Sequence, residues 1–203
     1  RLPLGLGGDT LATLELDLST ETAALIAGPA GSGKTTALAA LADAALKQRI
    51  PVFAIGALET LPGTAVVDIE TLRSLSASAE PSLVLVDDVE PLAGSEIDTA
   101  LGELLRVRRH RVVLAGGSEE LIGIFRGCVT EARRRRTGLL LAPRPGDGEI
   151  FGQARLTREV ADQAGTPGRG LLIQHGTATP LQLVAPAASG PATQQRFQEA
   201  SAG

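Results

Sequence analysis

A glycine-rich octapeptide carries the clearest chemical signal in the sequence. Residues 28–35 read Gly-Pro-Ala-Gly-Ser-Gly-Lys-Thr, which is the GxxxxGK[ST] spacing in full. Glycines at these positions let successive backbone N–H groups turn toward phosphate oxygens, while the lysine adds a positive charge and the threonine hydroxyl is a ligand for Mg²⁺. The pattern therefore predicts a nucleotide-phosphate site with the binding residues Gly28, Pro29, Ala30, Gly31, Ser32, Gly33, Lys34, Thr35 and Thr36.

The position of Lys34 is informative because lysine is rare in this chain. Only two of the 19 lysines and arginines are lysines, namely Lys34 and Lys47. The alternative interpretation is a glycine-rich turn that joins a strand to a helix and binds nothing. That turn would place one of the two lysines at the charged position of the motif by chance, so we favour phosphate binding.

A second motif ends in two acids. Residues 83–88 read Leu-Val-Leu-Val-Asp-Asp, a buried apolar run followed by Asp87 and Asp88. In proteins with this phosphate loop, the first acid supports Mg²⁺ and a neighbouring acid orients the attacking water. We therefore assign Asp87 and Thr35 to a Mg²⁺ site, and Asp87 and Asp88 to the catalytic set. The open alternative is a strand-ending turn with solvated acids.

The second acid of this pair is shorter than expected. ATP-hydrolysing proteins of this class usually carry glutamate where this chain has Asp88, and aspartate is one methylene shorter. Glu90 is a candidate to replace Asp88 as the acid that orients water, but strand alternation predicts that it lies on another face. The sequence therefore predicts nucleotide binding and leaves hydrolysis open.

Three further residues are candidates for sensing or completing the site. Ser118 follows the apolar run 111–116, where a polar residue contacts the terminal phosphate, but it is equally a candidate helix N-cap. Arg126 and Arg169 are isolated and flanked by glycine. Either is a candidate arginine finger for a neighbouring subunit's nucleotide, and either is a candidate partner for an internal acid.

Two arginine runs bear on nucleic-acid binding. One surrounds His110 and the other spans residues 133–136. Such runs contact DNA phosphates in some proteins, but no aromatic residues that could stack on bases accompany them. For the first run we favour a solvated helix end, where cations complement the helix dipole.

The elements that position these residues alternate between strands and helices. Strands are predicted at 11–18, 23–27, 51–55, 64–68, 82–87, 111–116 and 137–142, and helices at 34–48, from Ser95, and from Ser118 through Phe125. The segments 170–173 and 181–184 are predicted to form a hairpin that closes one edge of the sheet. This order predicts an α/β fold with a mainly parallel central sheet and helices on both faces.

Composition bounds the remaining possibilities. The chain has 203 residues, a net charge of −4 and a hydrophobic fraction of 43%, which excludes intrinsic disorder. We expect an irregular lead-in at 1–10 within a first segment at 1–20 that adds an edge strand, a core at 21–185 and a flexible tail or linker at 186–203. The chain contains no methionine, even at its start, so we expect it to be a segment of a longer protein.

Together these motifs resemble the FtsK/SpoIIIE group of P-loop ATPases. The resemblance covers about residues 2–185 and rests on the lead-in LPLGLGGDTLATLELDL, the loop LIAGPAGSGKTTAL, the acidic motif LVLVDD and the segments FRGCVTEARRRRTGLLLAPRPGDGEIFG and PGRGLLI. The sequence is most similar to a C-terminal ATPase module of actinobacterial EccC-like type VII secretion motors. The resemblance implies a RecA-like P-loop NTPase fold that uses ATP and Mg²⁺.

The resemblance also implies partners and a location. They are other ATPase modules of the same longer chain, a homo-hexameric ring, Esx-type secretion substrates, and the cytoplasmic face of the bacterial inner membrane, reached through segments outside this sequence. An active DNA translocase motor and a non-catalytic docking domain with a degenerate nucleotide site remain alternatives. Asp88 and the lack of a winged-helix region that reads DNA favour secretion over DNA pumping.

Overall fold

The computed structural model describes residues 1–8, 11–56, 58, 63–152 and 166–185. The strands are β1 Leu2–Gly7, β2 Ala12–Leu16, β3 Ala23–Ala27, β4 Val52–Ile55, β5 Thr64–Val66, β6 Leu83–Val86, β7 Arg111–Gly116, β8 Gly138–Leu141, β9 Arg169–Gln174 and β10 Thr177–Leu183. The helices are α1 Lys34–Lys47, α2 Ile69–Ala77, α3 Glu96–Val107, α4 Ser118–Ile122 and α5 Cys128–Arg134.

These ten strands form one sheet in the order β2-β1-β10-β9-β8-β3-β7-β6-β4-β5. The six strands from β8 to β5 run parallel to one another, and β2, β1, β10 and β9 add to β8 as antiparallel neighbours. The predicted α/β class with a mainly parallel central sheet is thus confirmed. The carboxyl ends of β3, β6, β7 and β8 lie along one edge of the sheet, which is where parallel α/β sheets bind ligands.

Helices cover both faces of the parallel half, as predicted. On one face, Leu38 and Leu41 of α1 share a core with Ile26 of β3. On the other face, α2 to α5 bury residues such as Leu104 against Leu25. All five residues of β3 are buried because successive side chains enter opposite cores, which explains its uninterrupted apolar sequence.

The start of the chain is a strand, so the predicted irregular lead-in at 1–10 is wrong where residues 1–8 are described. Glycines at alternate positions favour irregular structure in a sequence, but here they allow β10 to approach closely. A Cβ atom on Gly5 or Gly7 would overlap a backbone carbonyl of Gln182 or Pro180. Glycine is therefore required here by strand packing.

The C-terminal hairpin forms, but it does not lie at the edge. β9 and β10 pair antiparallel, and β10 then pairs with β1, so the hairpin is inside the sheet and β2 is the edge strand. This arrangement was not predicted because β1, the strand that pairs with the hairpin, has the glycine content of a loop. The tail predicted at 186–203 lies outside the described residues.

Two helices were not predicted, and one is shorter than predicted. α2 begins after Asp68, whose side chain accepts a hydrogen bond from the N–H of Thr71, and α5 follows Gly127. The helix predicted from Ser118 ends at Ile122. Ser95 caps α3 as expected, with its Oγ accepting from Asp98 N. None of the described helices is long and apolar enough to span a membrane.

A buried histidine makes the stability of this fold depend on pH. His110 is fully buried, and its Nδ1 lies 2.8 Å from Ser82 Oγ. Burial and the adjacent Arg109 and Arg111 lower the pKa of His110, which the carbonyl of Leu75 only partly offsets. The unfolded chain therefore binds the proton more readily, so the free energy of unfolding should fall as pH drops through about 6.5.

We expect urea unfolding midpoints measured between pH 8 and pH 5 to decrease in this window for the wild type and to stay nearly flat for His110→Gln. The control is His175→Gln, because His175 is exposed and should leave the decrease in place. An equal decrease in His110→Gln would assign the effect to other groups.

Candidate functional site

The glycine-rich octapeptide forms the loop between β3 and α1. Gly31 has a φ of 75° and Gly33 a φ of 104°, which are conformations that glycine adopts without strain. A Cβ atom on Gly28 would lie 2.6 Å from Ser32 Oγ and 2.8 Å from Leu141 O. The loop therefore needs glycine for both conformation and space. It ends at the N-terminus of α1, where free backbone N–H groups attract anions.

Lys34 is the first residue of α1, and its side chain folds back over the loop. Its Nζ donates to the carbonyl oxygens of Gly28 at 3.1 Å and Pro29 at 3.2 Å. These two acceptors hold the ammonium group at the mouth of the loop. The charge that the motif requires is therefore already in place beside the space for a phosphate.

Thr35 and Asp87 come together, as the spacing of the two motifs predicted. Thr35 Oγ1 donates to Asp87 Oδ2 at 2.7 Å across the gap between α1 and β6. Asp87 is only 4% exposed, and its Oδ1 is buried without a hydrogen-bond partner among the described residues. A buried carboxylate oxygen without a partner is costly unless something satisfies it, so this arrangement fits a Mg²⁺ ion with its waters.

A cleft of about 520 Å³ is lined by the chain neighbours of this pair, Lys34 and Asp88. It is lined by the phosphate loop, the turn after β6, the start of α4 and the loop after β8: Pro29, Ala30, Lys34, Asp88, Glu90, Pro91, Gly117, Ser118, Glu119, Glu120 and Arg144. Asp88 is exposed and lies in the turn after β6 with a φ of 50°.

Glu90 lies in this cleft, so the expectation that it occupies another face is wrong. Strand alternation does not extend to it, because β6 ends at Val86 and the chain turns at Asp88 before a 3-10 turn at Glu90–Leu92. Glu90 Oε1 accepts a hydrogen bond from Gly117 N, at the end of β7. The turn therefore brings Glu90 into the same cleft as Asp88.

Ser118 lines the cleft and is not a helix N-cap. The N-cap of α4 is Gly117, and Ser118 is the first residue of the helix. Its side chain is 4% exposed, and its Oγ has no hydrogen-bond partner among the described residues. Of its two open interpretations, the position in the cleft favours contact with a phosphate.

The two glycine-flanked arginines lie apart and outside this cleft. Arg169 begins β9, directly after Gly168, whose N–H donates to Ser32 O at 3.0 Å, so β9 starts beside the phosphate loop. Arg126 lies between α4 and α5, next to Phe125, which is 81% exposed. In the described part of the chain, neither guanidinium has an ion-pair partner.

Asp98 fixes the loop that carries Arg126. Its carboxylate accepts from Cys128 N at 2.7 Å and from Gly94 N at 2.9 Å. Burial alone would raise the pKa of Asp98, but these donors outweigh it and lower that pKa below its ordinary value. Gly127, with a φ of 78°, passes too close to Asp98 for any Cβ atom. The exposed Arg126 thus stands on an anchored loop.

Arg144 is a lining residue that the sequence analysis did not select. It follows β8, and its guanidinium forms an ion pair of 2.5 Å with Glu119 at the start of α4. The sequence does contain a signal for it, because polar residues just after a parallel strand reach the same edge as the phosphate loop. Arg144 and Lys34 are the two basic residues that line the cleft.

Comparison with known proteins identifies this loop-and-acid arrangement. Residues 24–115 match the model of the ATPase family associated with various cellular activities (AAA). This part of the chain is therefore similar to an AAA-type P-loop ATPase domain. The match spans both the phosphate loop and the acidic motif, and an AAA-type domain implies nucleotide binding. No curated protein matches the chain in sequence.

Solved structures share the fold of this ATPase domain at low identity. The cytoplasmic domain of EssC has a TM-score of 0.68 and 15% identity, covering 91% of this chain and 43% of that one. EccC of Thermomonospora curvata (ATPases 2 and 3), in complex with a signal sequence peptide, has a TM-score of 0.66 and 17% identity. This match covers 93% of this chain and 41% of that one. The pCW3 conjugation coupling protein TcpA has a TM-score of 0.60 and 14% identity. This match covers 99% of this chain and 71% of that one.

These likenesses confirm the RecA-like P-loop fold and the predicted similarity to EccC-like ATPase domains. The chain spans less than half of the EssC and EccC structures that it matches. The fold of one module is therefore shared with these proteins.

Proposed function

We propose that this ATPase domain binds Mg·ATP in the cleft and serves as a nucleotide-dependent module of an FtsK/SpoIIIE-type motor for type VII protein secretion. The observation that carries the proposal is the 2.7 Å contact between Thr35 and the buried Asp87, directly beside Lys34 at the mouth of the phosphate loop. A structural turn would need neither a buried carboxylate with a free oxygen nor an ammonium group above the loop.

Each group has a defined part in binding. The backbone N–H groups of residues 30–34 and the N-terminus of α1 are the donors for phosphate oxygens, and Lys34 offsets part of their charge once it exchanges its two carbonyl acceptors for them. A bound Mg²⁺ ion would supply positive charge that stabilises the phosphates. Thr35 would hold it directly and Asp87 through water, while Ser118 offers a hydroxyl to the terminal phosphate.

Arg126 is our candidate for a residue that acts on a neighbouring module. It is exposed, has no ion-pair partner among the described residues, and stands on a loop that Asp98 anchors. An arginine finger needs this combination of reach and a fixed base. Arg169, which starts beside the phosphate loop of its own chain, is better placed to act within the same module.

Several arginines of the two runs are committed to the fold, which supports a protein substrate over DNA. Arg109 donates to Ser78 O, Arg133 to the carbonyls of Ile122 and Ile124, and Arg111 to the carbonyl of Leu18. Guanidinium groups bound to carbonyls are less available to DNA phosphates. Since the EccC relative is described with a signal sequence peptide, we propose Esx-type substrates and other ATPase modules as partners, on the cytoplasmic face of the inner membrane.

The test is a calorimetric titration of ATP into the wild-type chain, with Mg²⁺ and with EDTA. We expect saturable binding that is tighter with Mg²⁺, and a raised Tm because the ligand binds only the folded state. Thr35→Val should weaken binding in Mg²⁺ while leaving binding in EDTA nearly unchanged. If Mg·ATP produced no binding heat and no shift in Tm, the proposed function would be contradicted.

A further inference from the structure

Three acids follow the buried strand β6, and only the last is held in place within the cleft. Asp87 is taken by Thr35, and Asp88 is exposed on a turn with a φ of 50°. Within the described residues, Asp88 has no hydrogen-bond partner that would fix its carboxylate. Glu90 lines the same cleft, and Oε1 of its carboxylate is bound to Gly117 N.

We propose that Glu90, rather than Asp88, is the catalytic carboxylate that orients the attacking water and accepts its proton during ATP hydrolysis. The proposal rests on the proposed function, because it needs ATP in the cleft. It goes further by naming a group for the hydrolytic step, which the sequence left open because Asp88 replaces the usual glutamate.

Gly116 at the end of β7 forms a seat for this carboxylate. A Cβ atom on Gly116 would lie 2.7 Å from Glu90 Oε1 and 2.9 Å from its Cδ, whereas one on Gly117 would overlap Glu120 Oε2 first and lie 3.3 Å from Glu90 Oε1. Gly116 does not have a positive φ, so its backbone conformation does not require glycine. The missing Cβ atom at Gly116 instead makes room for Glu90.

The groups around the seat suit the reaction. Ser118, with its buried Oγ lacking a partner in the described part of the chain, is the next residue after the donor Gly117. Lys34 lines the same cleft. With Oε1 held by Gly117 N, the other oxygen of Glu90 has no described hydrogen-bond partner and is free to accept from water. A fixed base costs less reorganisation in the transition state than one that must first be positioned.

The step balances without any further reactant. The oxygen of water forms a bond to the γ-phosphorus, while the bond from that phosphorus to the bridging oxygen breaks and its electron pair leaves with ADP. One proton of the water passes to the carboxylate of Glu90 and then to solvent, and the other remains on the phosphate. The products are ADP, inorganic phosphate and one proton.

The remaining acids of the cleft are less suited to this role. Glu119 is paired with Arg144, and both Glu119 and Glu120 are exposed at the start of α4. Neither is held by a backbone donor in the described structure. Glu90 is therefore the acid of the cleft that has a fixed position, a free oxygen and partial burial together.

The experiment compares Glu90→Gln with Asp88→Asn in single-turnover ATP hydrolysis by the full chain, with Mg·ATP affinity measured by calorimetry. Glu90→Gln should keep its affinity for Mg·ATP and lose about 100-fold or more in turnover, which is the usual worth of a positioned base. Asp88→Asn should lose less than about 10-fold. Glu103→Gln, an exposed acid on α3, is the matched control and should match the wild type.

Gly116→Ala provides a second variant, because its new methyl group would displace the carboxylate of Glu90 without removing it. Retained ATP binding with a similar loss of turnover would support the seat. Loss of turnover in Asp88→Asn with retention in Glu90→Gln would overturn the proposal, and so would Mg·ATP binding without hydrolysis by the wild type. Failure of the wild type to bind ATP would instead defeat the proposed function, and this proposal with it.

Discussion

Lys34→Ala is expected to abolish measurable Mg·ATP binding. Lys34 is one of two basic residues in a cleft that four acids also line, so its removal makes a net negative lining still more negative and removes a charge that attracts the phosphates. Truncating one partner of a buried charge pair costs about 2–5 kcal/mol, which corresponds to a loss of affinity of at least about 30-fold. Calorimetry and the ATP-dependent shift in Tm both measure this loss.

The chain supplies its own matched control in Lys47. This residue ends the same helix, α1, and its Nζ pairs with Asp43 on the exposed surface at 2.6 Å. Lys47→Ala removes the same charge from the protein but none from the cleft, so binding should remain within about twofold of wild type, because surface pairs contribute little. Equal affinities for Lys34→Ala and Lys47→Ala would place the nucleotide elsewhere.

Gly138→Ala is expected to be the most destabilising single substitution that we can name. Gly138 starts β8 with a φ of 150°, and a Cβ atom there would overlap the carbonyl oxygen of Leu25 in β3. Both strands would have to separate, and β3 leads directly into the phosphate loop. We expect a loss of about 4 kcal/mol or more in the free energy of unfolding, measured by urea denaturation.

Gly102→Ala makes the same chemical change where nothing resists it. Gly102 lies within α3, and no atom outside its own helical backbone and chain neighbours lies within 4 Å of the position that the new methyl group would take. Alanine is favoured over glycine in a helix by about 1 kcal/mol, so this variant should be slightly more stable than wild type. A Gly138→Ala chain within about 1 kcal/mol of wild type would show that β3 and β8 pair more loosely than the structure indicates.

The parts of the site that depend on local sequence could be predicted. The phosphate loop and the strand before Asp87 are contiguous segments whose spacing dictates their geometry, so Thr35 lies within hydrogen-bond distance of Asp87 and Lys34 folds over the loop. The parallel sheet could be predicted for a similar reason, since strands buried on both faces leave long apolar runs.

Other parts of the site and fold could not be predicted, because they depend on where a strand ends or on which strand lies beside it. Glu90 was assigned to another face because alternation was continued past Val86, where the strand stops. β1 was missed because its glycines are explained only by the close approach of β10, which lies far away in sequence. Arg144 follows a predicted parallel strand, which indicates the correct edge of the sheet, but its place in the cleft depends on β8 lying beside β3.

The pairing of β1 with β10 also bears on the speed of folding. Gly5 lies opposite Leu183, so this pairing joins residues near the two ends of the described chain. Contacts of such high contact order are reached only after a long loop has closed, at an entropic cost that is met before any stabilising contact forms. The hairpin itself joins the parallel strands through β9 and β8, so the pairing of β1 with β10 adds only β1 and β2 to the sheet. We therefore expect β1 and β2 to join the sheet late, after the parallel strands and the hairpin have assembled around the phosphate loop.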